Sequence, residues 1–137
     1  MSAEFLDSNV FLYLFDETDD HKRGVAERLV QRALSDGSGV ISFQVVQETL
    51  NVMTRKLGAS TSDARRFLDN VLLPLWRIAP SPALYASALD VRDRYGFGFY
   101  DALILAAAID HGCSRVWSED LQDGQKVAGV EVVDPFG

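Results

Sequence analysis

Short apolar runs bounded by polar or glycine-containing breaks recur along the chain and predict alternating strands and helices. Glu4-Phe5-Leu6-Asp7 reads as a short buried strand ending in a carboxylate, and Ser8-Asn9 supply a turn or helix cap. Val10 to Phe15 predicts a short helix. The acidic stretch from Asp16 to Asp20 breaks it, and a longer helix then runs through about Leu34 to a stop at Asp36-Gly37-Ser38-Gly39. Val40-Ile41-Ser42 is a second strand, with Ser42 placed to cap a helix from Gln44 to Lys56. In that helix Val45, Thr49 and Val52, with Val46, Leu50 and Met53, recur at helical spacing.

Gly58 ends this helix, and Thr61 starts another that extends to about Leu73 with a charged side at Asp63, Arg65, Arg66 and Asp69. Pro74 separates it from a third strand over Leu75 to Ala79, and Pro80-Ser81-Pro82 opens a helix through Arg94. After Gly96 and Gly98 comes a helix with Asp101 in its first turn. Its nearly all-apolar middle, Ala102 to Ile109, predicts burial against a sheet. Ser114 to Trp117 and, after a polar loop, Val130 to Val133 complete about five strands. The order predicts an α/β chain with a mainly parallel sheet covered on both faces.

Composition narrows this picture. The 137 residues, 47% hydrophobic and 24% charged, suit one folded domain over 1–137 and argue against disorder. The longest strongly apolar stretch is far shorter than the roughly 20 residues that cross a bilayer, so no membrane association is expected. Met1-Ser2-Ala3-Glu4 has neither a basic region nor an apolar core, so no signal peptide is expected there. Cys113 is the single cysteine, which rules out an intrachain disulfide and makes a cytoplasmic setting the expectation.

Charge narrows it further. Thirteen Lys and Arg against 20 Asp and Glu give a net charge of -7, which disfavours broad electrostatic binding of nucleic acid. A carboxylate cluster that holds a divalent cation reverses this locally, because the cation supplies the charge that draws in a phosphodiester. In parallel sheets, chemistry gathers beyond the carboxyl ends of strands. Asp7 and Asp120 fall at or just beyond such ends, and Glu48 and Asp101 lie on early helix turns that face the same rim. Four converging carboxylates repel one another and raise their pKa values, a conflict that the hard cations Mg2+ or Mn2+ resolve.

Other chemistries fit less well. His21, His111 and one cysteine are too few and too scattered for a zinc site. Cys113 reads as a small core residue and His111 as a helix-end residue. Gly96-Phe97-Gly98 is no dinucleotide fingerprint, and Gly124-Gln125-Lys126 lacks P-loop spacing. A phosphatase of the haloacid dehalogenase type would place a second aspartate where Asn9 stands, and a receiver domain would end its third strand in an aspartate rather than Ile78-Ala79.

Four segments in order, Phe5-Leu6-Asp7-Ser8-Asn9, Ser42 to Glu48, Tyr100-Asp101-Ala102-Leu103-Ile104-Leu105-Ala106-Ala107-Ala108 and Trp117-Ser118-Glu119-Asp120-Leu121, resemble the PIN-domain family. The resemblance covers nearly the whole chain and is greatest to the VapC-type toxins of bacterial toxin-antitoxin modules. It implies a three-layer α/β/α ribonuclease fold that hydrolyses RNA with Mg2+ or Mn2+. Matched residue by residue, it implies that Asp7, Glu48, Asp101 and Asp120 are the metal ligands. It further implies that Ser118 orders the site and that Asn9 orients Asp7 or a water.

One position departs from the family pattern. Gln122 stands where the family often has a further carboxylate, with Glu119 and Asp123 nearby but out of place. The resemblance also implies a homodimer and a cognate antitoxin whose helix or tail covers a groove beside the site. Basic groups such as Lys22-Arg23, Arg28 with Arg32, Arg55-Lys56, Arg65-Arg66 and Arg92 with Arg94 are candidates for an RNA path, or simply for solvated helix faces. The alternative to the nuclease is a catalytically degenerate PIN-like module that binds RNA or protein.

Overall fold

A computed structural model describes residues 2–137, so Met1 of the opening segment lies outside the described residues. Strand β1 (Glu4–Leu6) leads into α1 (Ser8–Leu12) and a 3-10 turn over Tyr13–Phe15. Helix α2 (Asp20–Asp36) is capped by the Asp19 side chain, which accepts the Lys22 N–H at 3.0 Å, and ends on Gly37 at φ 73°. Strand β2 (Gly39–Ser42) and helix α3 (Phe43–Arg55) follow.

The single helix expected from Thr61 to Leu73 is instead α4 (Thr61–Phe67), a π-helical turn over Leu68–Leu72 and a last short turn α5 (Leu73–Leu75). Pro74 explains the change. It has no N–H for the carbonyl of Asn70, and its ring crowds that carbonyl, so the preceding turn winds wide and the Leu73 N–H bonds to the Leu68 carbonyl. Strand β3 (Trp76–Ile78), α6 (Pro82–Tyr95), α7 (Phe99–Asp110), β4 (Arg115–Trp117), β5 (Lys126–Val127) and β6 (Val130–Val133) complete the chain.

The strands form one sheet in the order β3-β2-β1-β4-β6-β5, parallel except for β5 against β6. Six strands replace the expected five. The added strand lies in the loop read as polar, where Ala128 and Gly129 take φ of 49° and 86°, the positive values a two-residue type I′ hairpin needs.

Chain direction explains the three layers. The chain moves outward from β1 through β2 to β3, then returns across β1 to β4, so right-handed crossovers carry α1–α5 and α6–α7 to opposite faces. Residues Ala102 to Ala108 of α7 are all buried, and four of the seven are alanines that permit close approach to the sheet. At the centre, Phe5 pairs with Val40 on one side and Val116 on the other, and all three are buried. Where the chain reverses direction, between β1 and β4, the two strand ends open a crevice at the carboxyl edge. Among the described residues no helix is long and apolar enough to cross a membrane.

Candidate active site

Asp7 follows β1 directly at the β1–β4 crevice, where its N–H bonds to the Trp117 carbonyl at 3.0 Å. It is also the N-cap of α1, and it is only 6% exposed. Asp7 Oδ1 accepts the Ser8 N–H at 2.7 Å, and Oδ2 accepts the Ser118 hydroxyl at 2.8 Å. Burial pushes the Asp7 pKa up to about 6. The bonds from Ser118 and Ser8 oppose the rise, while the charges of Glu48 and Asp120 add to it.

Ser118, fully buried beyond β4, joins the two sides of the crevice. Its hydroxyl also accepts the Asn9 amide at 3.3 Å and the Asp120 N–H at 3.1 Å. Asn9 Nδ2 donates to Asp120 Oδ2 at 3.1 Å, and its Oδ1 accepts the Glu119 N–H at 3.4 Å. Asn9 is thereby linked to Asp7 through the Ser118 hydroxyl.

Glu48 comes from α3. Its Oε2 accepts the Ser8 hydroxyl at 2.7 Å and its Oε1 accepts Gln44 Nε2 at 3.3 Å. Asp101 stands exposed on the first turn of α7. Partial desolvation raises its pKa, and the charges of Asp120 and Glu48 raise it further. Asp7, Asn9, Ser118 and Asp120 therefore share one hydrogen-bonded network, which Ser8 extends to Glu48. Asp101 is tied to it by charge alone.

The arrangement is looser than a preformed chelate: among the described residues no three of His, Cys, Asp and Glu form a metal-holding group. The donor chemistry nonetheless fits a hydrated hard cation. Mg2+ keeps several waters and takes one or two carboxylates rather than an all-protein cage. Here mutually repelling oxygen donors, one of them with a pKa near 6, favour the arrival of positive charge.

Several participants were not singled out from the sequence. Ser8 and Gln44 hold Glu48, and Gln44 had a usable signal, since it precedes Glu48 by one helical turn. Glu119 turns to a different set of partners. Its Oε1 accepts the Tyr13 hydroxyl at 2.5 Å and its Oε2 the Lys22 ammonium at 3.1 Å, and Lys22 lies 4.7 Å from the centre of the Tyr13 ring. Other basic residues considered for an RNA path are also paired, Arg23 with Asp20 and Glu27, Arg32 with Glu4, and Arg66 with Asp63. Ser42 stands at the N-cap of α3 as expected, but its hydroxyl makes no capping bond and is buried without a partner. Cys113 is a core residue whose thiol burial pushes up to about 11, leaving it little thiolate.

The sequence model of the PIN domain matches residues 5–129. This chain belongs to the PIN-domain family. Solved structures share its fold. VapC20 of Mycobacterium tuberculosis, a sarcin-ricin loop cleaving toxin, is 22% identical, with a TM-score of 0.66 over 86% of this chain and 92% of its own. A toxin-antitoxin complex from Klebsiella pneumoniae gives 22% identity and a TM-score of 0.70 over 98% of both chains. VapBC2 from Rickettsia felis, solved on a DNA fragment from its promoter, gives 16% and 0.69 over 95% of this chain and 96% of that one. No curated protein matches the sequence.

Proposed function

We propose that this PIN domain is a divalent-metal-dependent endoribonuclease that hydrolyses phosphodiester bonds in RNA and acts as the toxin of a toxin-antitoxin pair in the cytoplasm. The observation that carries this reading is the Asp7 carboxylate, buried, held by Ser118 and Ser8, and raised to a pKa of about 6 beside the charges of Glu48 and Asp120. Buried carboxylates kept at such an electrostatic cost are characteristic of functional sites.

In this reading Asp7, Glu48, Asp101 and Asp120 hold Mg2+ or Mn2+. The bound cation supplies Lewis acidity toward the phosphate and the positive charge that an acidic chain lacks. The other residues position these four. Ser118 fixes the direction of Asp7, Asn9 holds the Asp120 carboxylate, and Ser8 with Gln44 holds both oxygens of Glu48. Such pre-organisation removes the reorientation otherwise needed when substrate arrives.

A groove of about 1320 Å3 reaches the site at Asn9 and Glu119 and is lined by Leu12, Phe15, Met53 and Phe67 among others. Charged Asp16, Glu17, Arg23, Asp63 and Arg66 line it as well, and this mixed groove has the size to take a helix or tail of a cognate antitoxin, with a homodimer as the proposed assembly. Likeness to toxins solved in complexes supports this partner class.

Incubating purified protein with a mixed RNA pool tests the reading. Discrete fragments are expected with Mg2+ or Mn2+ and not with chelator. Intact RNA under both ions, with a folded protein, contradicts it and favours a non-catalytic PIN module.

A further inference from the structure

Tyr100 is 71% exposed, more than any other large apolar side chain among the described residues. It is the second residue of α7 and immediately precedes Asp101. Its backbone is nonetheless held firmly. The carbonyl accepts Gln44 Nε2 at 3.2 Å, and the same amide holds Glu48, so Tyr100 has a fixed position relative to two of the four carboxylates. Among aromatic rings it meets only Phe99, edge-to-face with centroids 5.6 Å apart.

Helix geometry sets the direction of the side chain. Side chains tilt toward the amino-terminal end of a helix, and at that end of α7 Asp101 meets the charges of Asp120 and Glu48. Tyr100 leans the same way, over a Gly98 where an added Cβ would meet nothing within 4 Å. An open aromatic ring therefore stands next to the carboxylate rim.

A nucleobase suits this ring better than a protein surface does. The groove that fits an antitoxin segment is lined by neither Tyr100 nor Asp101. A protein seated on Tyr100 would also bury the neighbouring Asp101 carboxylate, whereas the cores of protein interfaces are depleted of charge. With RNA the cation at Asp101 takes the phosphate and the ring takes the base. Stacking also suits an acidic chain, because it needs no positive surface, and Lys22, Arg23, Arg32, Arg66 and Arg115 are already engaged with carboxylates.

We propose that Tyr100 stacks on a base adjoining the phosphodiester held at the carboxylate rim, so that the site takes RNA whose base at the cut is unpaired. The inference rests on the nuclease reading above and names the residue that grips the base.

The test compares cleavage of one mapped RNA by wild type, Tyr100→Ala and Tyr100→Phe at saturating Mn2+. Tyr100→Ala is expected to raise KM about 10-fold while kcat stays within about twofold, because stacking grips substrate and transition state alike. Tyr100→Phe keeps the ring and should stay within about threefold of the wild-type KM. Removing the base just upstream or just downstream of the cut should, in one of the two abasic RNAs, raise the wild-type KM by a similar factor and add little to the effect of Tyr100→Ala. A role exerted only through Asp101 predicts instead a lower kcat and weaker Mn2+ binding with KM unchanged. A folded Tyr100→Ala protein with the wild-type KM overturns the proposal and leaves the nuclease reading standing; if that protein has also lost self-association in sedimentation, the ring belongs to a protein interface. Wild type that cleaves no RNA overturns both. If the alanine variant does not fold, Tyr100→Leu, apolar but without an aromatic face, carries the same comparison.

Discussion

The Ser118 hydroxyl donates to Asp7 Oδ2 at 2.8 Å while accepting the Asp120 N–H at 3.1 Å, so one buried hydroxyl joins the end of β1 to the loop after β4. Ser118→Ala would leave an oxygen of a buried carboxylate without its donor, at a cost of about 1–3 kcal/mol. Urea unfolding at pH 7 should show that loss, and Ser118→Thr, which keeps the hydroxyl, should recover part of it. Equal stability of Ser118→Ala and wild type would mean that the bond does not hold Asp7.

The raised pKa of Asp7 makes stability fall with rising pH. Between the ordinary 3.8 and about 6 the folded state binds more protons than the unfolded state, so folding is favoured at low pH and loses this contribution as Asp7 ionises. The loss is on the order of 3 kcal/mol, and Asp101 shifts in the same direction. In chelator, Asp7→Asn should therefore be more stable than wild type at pH 7 and close to it at pH 4. Urea unfolding at the two pH values checks this, and a variant less stable than wild type at pH 7 would contradict it. Protons and cation compete for the same oxygens, so Mn2+ affinity of the wild type should rise as pH passes about 6.

How much of this was legible in the sequence depended on the distance over which the signal acts. The β1 strand ending in Asp7 and the buried helix after Asp101 are local patterns, and all four carboxylates fall at the edge where strand order reverses. Asn9 and Ser118 stand out in the sequence as site residues, but their relay spans 109 residues and its route through Ser118 is a product of tertiary packing. The same holds for Glu119, which meets Tyr13 and Lys22 from 106 and 97 residues away. Strand β5 was missed because its turn is Ala128-Gly129 rather than the Asn-Gly or Asp-Gly that advertises such a hairpin. The π-helical turn ahead of Pro74 follows from the missing N–H, yet the sequence alone does not say whether a proline ends a helix or widens it.

Tyr13 is expected to anchor the loop that carries Ser118 and Asp120. Its hydroxyl bonds to Glu119 and its ring packs at a tilt against Phe136 with centroids 4.7 Å apart, so Tyr13→Phe removes the bond and keeps the ring contact. A loss of about 1 kcal/mol is expected by chemical denaturation. The Tyr13 phenol should also ionise above the ordinary value of 10, since it donates to Glu119, and absorbance titration of wild type against the variant would show this.

Gly39 opens β2 and faces Ala33 of α2. A Cβ there would lie 2.5 Å from the Ala33 Cβ and 3.0 Å from Leu75 Cδ2, so Gly39→Ala should cost about 1–3 kcal/mol through overpacking. The clash lies at the opposite end of β2 from the site, so Mn2+ affinity of the folded variant should match wild type. Adding Ala33→Gly should restore part of the stability, offset by the roughly 1 kcal/mol that glycine costs inside a helix, and thermal unfolding of the Gly39→Ala, Ala33→Gly and double variants distinguishes this from general damage.

The central claim is that the carboxylate rim cleaves RNA, and Asp101 tests it most cleanly because it is exposed and joined to the others by charge alone. The measurement is the cleavage rate of one mapped RNA at saturating Mn2+ for wild type and Asp101→Asn, with their Tm values compared. The account predicts at least a 100-fold lower rate, on the order of 3 kcal/mol in the barrier, with an unchanged or higher metal-free Tm. Cleavage by Asp101→Asn at the wild-type rate, or wild-type cleavage that persists in chelator, would contradict it.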